Sequence, residues 1–162
     1  MDEPHEPSDE SYSWIRAAHF HTRIMTKLPY KKRDLGVKQL EIAISLYREG
    51  KDPFSVVTLA GAAEEILGRC VKAAGKANSL QLLNDAALAI QRIEGDEVPV
   101  SVVDRANYAR NSLKHMDGPE DSVFIDAWQE AKDMLTRATE NYRLLDECYS
   151  PLIEHFLQQV RN

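Results

Sequence analysis

The stretch from Asp52 to Gly75 constrains the fold more than any other part of the chain. Asp52-Pro53 supplies a side-chain oxygen for the first free helical amides and a ring already set near helical φ, and Gly75 supplies a stop. Between them Val56, Leu59, Ala60, Ala63, Leu67, Cys70, Val71 and Ala74 recur at the spacing of one helix face. A helix with so long an apolar stripe has to be covered by others. Ala60-Gly61-Ala62-Ala63 lies within it and is small enough to let a neighbour approach closely.

The rest of the chain repeats the theme. Trp14, Ala17, Ala18, His21, Met25 and Leu28 predict an amphipathic helix over about 12–28, broken by Pro29 and the Tyr30–Asp34 stretch. Leu40, Ala43, Ile44 and Tyr47 predict another over about 35–49, with Gly50 as its stop. Ser79 is read as the cap of a short helix through about Ile90 that buries Leu82, Leu83, Ala86 and Ile90. After a turn at Gly95–Pro99, Ser101 caps the next helix, with Asp104 as its capping-box partner. The longest helix is expected over about 122–147, on the apolar line Ile125, Trp128, Leu135, Ala138, Tyr142 and Leu145, and Pro151 starts a last short one. The nearest approach to strand alternation, Val98–Val103, carries a proline and a serine. The fold class expected is all-α: an up-and-down helical bundle of about five to six helices, forming one domain over 12–162 behind an acidic flexible tail at 1–11.

At 162 residues and 43% hydrophobic, the chain suits a single domain with a real core. No apolar run approaches the roughly 18 residues that span a bilayer, and Met1–Glu10 is acidic and Pro-containing, unlike a secretory signal. A cytoplasmic protein without a membrane partner is expected. Cys70 and Cys148 lie far apart among apolar neighbours and read as small buried hydrophobes, with no disulfide and no metal site. Five acids in the first ten residues carry most of the formal net charge of −6. Beyond them Arg23, Lys27, Lys31, Lys32, Arg33 and Lys38 form a basic segment that is either a solvated loop or a weak RNA contact, the latter through Lys31, Lys32 and Arg33.

Chemistry concentrates in Arg110-Asn111-Ser112-Leu113-Lys114-His115, which closes a helix just before the breaker Gly118-Pro119. A guanidinium and an ammonium grip phosphate, and imidazole moves protons near neutral pH. On a helical wheel Val102, Ala106, Ala109 and Leu113 share the inner face, whereas Asp104, Tyr108, Asn111 and His115 share the outer one. Asn111 and His115 are thus one turn apart and within mutual reach. Arg110 stands about 140° away from His115 on a regular helix. The two converge if the helix unwinds near Lys114, if Arg110 reaches around, or if a second subunit completes the site. A second Arg-to-His spacing, Arg16 to His21, lacks the polar residue after arginine, and His19 and His21 point too far apart on a helix to share a metal. Of Glu64 and Glu65, one is expected to face solvent and one to flank the core.

Arg-Asn, three residues, then His at the end of a helix in a small all-α protein resembles the R-x4-6-H motif of HEPN domains. The stretch Asp52–Leu67 also resembles a helix of uncharacterised bacterial proteins with a similar R-N-x-x-K-H ending. The resemblance covers about 35–147. It implies a bundle that dimerises so that two motifs face a shared cleft, and a metal-independent endoribonuclease of toxin or defence type. His115 is then the general acid/base, Arg110 binds the scissile phosphate, Asn111 orients the histidine, and Lys114 adds a weak RNA contact. No cofactor is implied, because the ribose 2′-OH is an internal nucleophile. Asp117 stands where members paired with nucleotidyltransferase antitoxins carry tyrosine. The expected partners are a second copy of the chain, RNA, and an antitoxin or regulatory protein. Two other functions fit the same residues: a non-catalytic interaction or dimerisation module built on the apolar face 56–74, and a small-ligand pocket lined by Tyr108 and Trp128.

Overall fold

The computed structural model describes residues 27–94, 101–115, 121–145 and 150–160. Among them are six helices and no strand: α1 (Lys32–Arg48), α2 (Pro53–Ala73), α3 (Ser79–Glu94), α4 (Val102–Lys114), α5 (Ala127–Arg143) and α6 (Pro151–Val160). The all-α expectation holds. The acidic tail, the Arg16–His21 spacing, His19 and His21, most of the 12–28 segment, Gly118-Pro119 and Cys148 lie outside the described residues.

Helix α2 is the hub. Asp52 accepts from the amides of Phe54 and Ser55, Pro53 opens the helix, and Gly75 follows its end at φ +76°. Its stripe Val56, Val57, Ala60, Ala63 and Leu67 is fully buried, against Leu40, Ala43 and Ile44 of α1 and Ala131, Met134, Leu135, Ala138 and Tyr142 of α5. Helix α1 returns antiparallel along α2, so that Gly36 near its start meets Ile66 and Leu67. Helix α5 runs in the same sense as α2, Met134 lying beside Gly61 and Asn141 beside Gly68. Ile153 and Phe156 of α6 close one end of this core, and Ala109 brings α4 into it.

Five boundaries and burials differ from the sequence expectation. Helix α1 begins at Lys32, so Lys32, Arg33 and Asp34 form its first turn and no loop; Asp34 suits the positive end of the helix dipole. Helix α5 is shorter than 122–147 because Asp126 caps it, accepting from the Gln129 amide at 3.1 Å. Asn78 caps α3 in place of Ser79, its Oδ1 accepting from the Gln81 amide at 3.0 Å. The largest difference concerns the face of α3: Leu82, Leu83, Leu88 and Ile90 are exposed, and Ile93 is 84% exposed. Periodicity shows that a stripe exists but not that a neighbour covers it, and α3 adds no residue to the core. Cys70 is half-buried, where full burial was expected.

Candidate functional site

Helix α4 carries the hexapeptide. Ser101 Oγ accepts from the Asp104 amide at 3.4 Å, and the helix stays regular to Lys114. His115 leaves it in an extended conformation (φ −128°, ψ 138°), its amide still bonded to the Asn111 carbonyl at 3.0 Å. The two faces fall as the wheel places them. Ala109 is fully buried and Val102, Ala106 and Leu113 half-buried, while Asp104, Tyr108, Asn111 and His115 are exposed.

Arg110 turns inward. Its aliphatic stem crosses α2 at Gly61, where a Cβ would stand 2.7 Å from Arg110 Cδ and 2.9 Å from Cγ. No other residue type fits that crossing without displacing the arginine. Beyond the crossing, Arg110 Nη1 donates to Glu64 Oε2 at 3.4 Å, with the side chains 16% and 4% exposed. Arg110 Nε donates to Asn111 Oδ1 at 3.4 Å. Both contacts are longer than the roughly 2.7–2.9 Å of a tight charge-assisted bond, so the guanidinium is held but not saturated.

Around Glu64 lies a polar seam joining four helices. Arg137 of α5 donates to the Ala106 carbonyl at 2.6 Å and to Asn107 Oδ1 at 3.4 Å. Burial draws the Arg137 guanidinium below its usual range; the Glu64 carboxylate opposes that and the Arg110 charge reinforces it. Asn141 of α5 donates from Nδ2 to the Glu64 carbonyl at 3.1 Å and accepts the Ser79 amide of α3 at 2.7 Å. Neither Glu64 as the partner of Arg110 nor the Arg137 and Asn141 contacts were drawn from the sequence. The legible signal was Gly61, one turn before a glutamate on an otherwise apolar face. Glu65 pairs outward with Arg69 at 2.7 Å.

The sequence-derived residues are therefore only partly brought together. Asn111 spends its side-chain oxygen on Arg110, its neighbour in sequence, and not on His115. Lys114 and His115 project exposed from the end of α4. Lys31 and Lys32 are exposed and Arg33 half-exposed at the start of α1. There Lys32 borders a small cleft with Glu65, Ile66, Arg69 and Cys70, whereas Arg110 meets α2 at Gly61 and Glu64. Trp128 packs edge-on against Tyr47, ring centroids 5.7 Å apart, and Tyr108 is exposed on α4.

A cleft of about 670 Å³ opens between α3, α4 and α5. Leu83, Val102 and Ala106 form its apolar wall, and Gln129, Glu130, Asp133 and Arg137 its polar one. Burial, reinforced by the neighbouring Asp133 charge, raises the Glu130 carboxyl above the usual carboxylate range. A raised folded-state value means that the folded chain binds this proton more tightly than the unfolded chain. Stability is therefore lost as pH rises through the carboxylate range. Glu130→Gln is expected to stabilise the fold at neutral pH by no more than about 0.5 kcal/mol, because water still screens this half-buried group, and to leave it unchanged at acid pH, as urea denaturation at the two pH values checks. Among the described residues no group of three His, Cys, Asp or Glu side chains is placed to hold a metal ion, and no helix is long and apolar enough to cross a membrane. No protein-family model, no curated protein and no solved structure matches the chain.

Proposed function

We propose that the protein acts on RNA as a HEPN-type, metal-independent endoribonuclease of toxin or defence kind, with its site at the C-terminal end of α4. The observation that carries this reading is the Arg110 guanidinium, held at 3.4 Å from both Glu64 and Asn111 on the same helix end as the exposed, non-helical His115. Leaving the helix at His115 releases the imidazole from the 140° separation that a regular helix imposes. In the reaction His115 takes the 2′-OH proton, the 2′-oxygen attacks the adjacent phosphorus to give a 2′,3′-cyclic phosphate, and the 5′-oxygen departs, taking up a proton from water. Arg110 meets the charge gathering on the phosphoryl oxygens, Asn111 holds the Arg110 Nε, and Lys114 contributes an exposed charge to the RNA backbone.

Total RNA incubated with the protein in EDTA tests it. Wild type is expected to cleave, and His115→Ala to cleave about 10²- to 10⁴-fold more slowly with unchanged folding, because His115 is exposed. Equal RNA integrity with both proteins ends the nuclease reading. The apolar face 56–74 is spent largely on the bundle core, and the alternative of a non-catalytic interaction or dimerisation module is favoured by a different observation, the exposed apolar stripe of α3. That module binds a second copy or a regulatory protein and keeps its oligomeric state in His115→Ala.

A further inference from the structure

We infer that Glu64 is the positioning residue of this site, aiming the Arg110 guanidinium at the scissile phosphate of an RNA strand; the inference rests on the nuclease reading above. Arg110 is a long side chain with several rotamers, and in water a phosphate contact has to order all of them. Here the ordering is built into the fold. Gly61 fixes where the stem crosses α2, Glu64 takes Nη1, and Asn111 takes Nε. Glu64 is itself immobilised, since its side chain is 4% exposed and Asn141 holds its backbone carbonyl.

The pair does not cancel the arginine. The Glu64 carboxylate is also the largest opposite charge acting on Arg137, so two guanidiniums share it. Arg137 is tied to the Ala106 carbonyl at 2.6 Å, although its Asn107 contact is also 3.4 Å and its buried Nε has no hydrogen-bond partner among the described residues, whereas both Arg110 contacts are 3.4 Å long. A phosphate reaching the end of α4 would therefore meet a guanidinium held in one place by contacts no shorter than 3.4 Å. Had Glu64 served only to tie α4 to α2, its loss would change how much protein folds but not how fast each folded molecule turns over.

The test uses the full chain and a short unstructured 5′-fluorescein RNA in EDTA, with the all-2′-deoxy strand as a non-cleavable probe of binding. Glu64→Gln is expected to lower kcat at least about tenfold per folded molecule while its Kd for the deoxy strand stays within about twofold of wild type. Glu64→Asp, which keeps the charge on a shorter arm, recovers part of the loss. Gly61→Ala leaves Glu64 intact but displaces the Arg110 stem, and is expected to show the same split; if Glu64→Gln does not fold, Glu64→Asp decides the matter. Wild-type kcat in either folded variant overturns the inference, and so does a loss confined to the folded fraction. If wild type cleaves, His115→Ala does not, and Glu64→Gln matches wild type, only the positioning role falls. If wild type and His115→Ala both leave the RNA intact, the nuclease reading falls and takes this inference with it.

Discussion

Truncating Glu64 to alanine is expected to cost about 3–5 kcal/mol of folding free energy, whereas replacing the pair together by Glu64→Leu with Arg110→Met is expected to recover at least about 1 kcal/mol of that loss but not all of it. The difference follows from what is left behind. Glu64→Ala strands two guanidiniums, Arg110 at 16% side-chain exposure and Arg137 already depressed by burial, around an empty carboxylate position. Arg110 regains some water at the end of α4, but Arg137 is committed to the Ala106 carbonyl and cannot follow. The double variant removes one of the two stranded guanidiniums and leaves apolar groups of comparable length against Gly61 and Met134, so that only Arg137 is left without the carboxylate. Urea denaturation of the two single variants and the double variant gives the coupling directly. A double variant as unstable as Glu64→Ala shows that Arg137, and not Arg110, is the partner that needs the carboxylate.

That contrast marks where sequence reading ran out. The outer face of α4 was legible because helical rotation alone places Asp104, Tyr108, Asn111 and His115 together. The direction of Arg110 was not. Five bonds separate a guanidinium from its Cα, and what decides where it goes is a carboxylate 46 residues earlier on another helix. Gly61 hinted at a close approach, but a small residue in a stripe does not say whether a helix or a single side chain fills the notch. The same holds for Asn141, 77 residues from the Glu64 carbonyl it binds.

The fold was more legible than the site, for a related reason. Caps and stops act within a turn, so Asp52-Pro53, Gly75, Ser101 and Pro151 mark their helices correctly. Burial depends on what lies opposite, and there the α3 reading failed: Leu82, Leu83 and Ile90 have the spacing of a core face and no core to join.

Leu67→Ala and Ile90→Ala separate these two kinds of stripe. Leu67 is wholly buried at the crossing of α1 on α2, its Cγ 3.2 Å from where a Gly36 Cβ would stand. Removing its branched end leaves a cavity that close-packed neighbours cannot fill, costing about 3 kcal/mol and lowering Tm by roughly 6–12 °C. Ile90 is 55% exposed, and its truncation is expected to change stability by less than about 0.5 kcal/mol in dilute protein. Thermal unfolding followed by circular dichroism measures both. Repeating the Ile90→Ala scan at high protein concentration adds a second readout, because a subunit bound to the folded α3 face raises Tm by mass action. If wild-type Tm climbs with concentration and Ile90→Ala abolishes the climb, the stripe is covered in solution by another copy of the chain. If Tm is flat in both, the exposed face of α3 is no homodimer interface, and dimerisation must use a different surface.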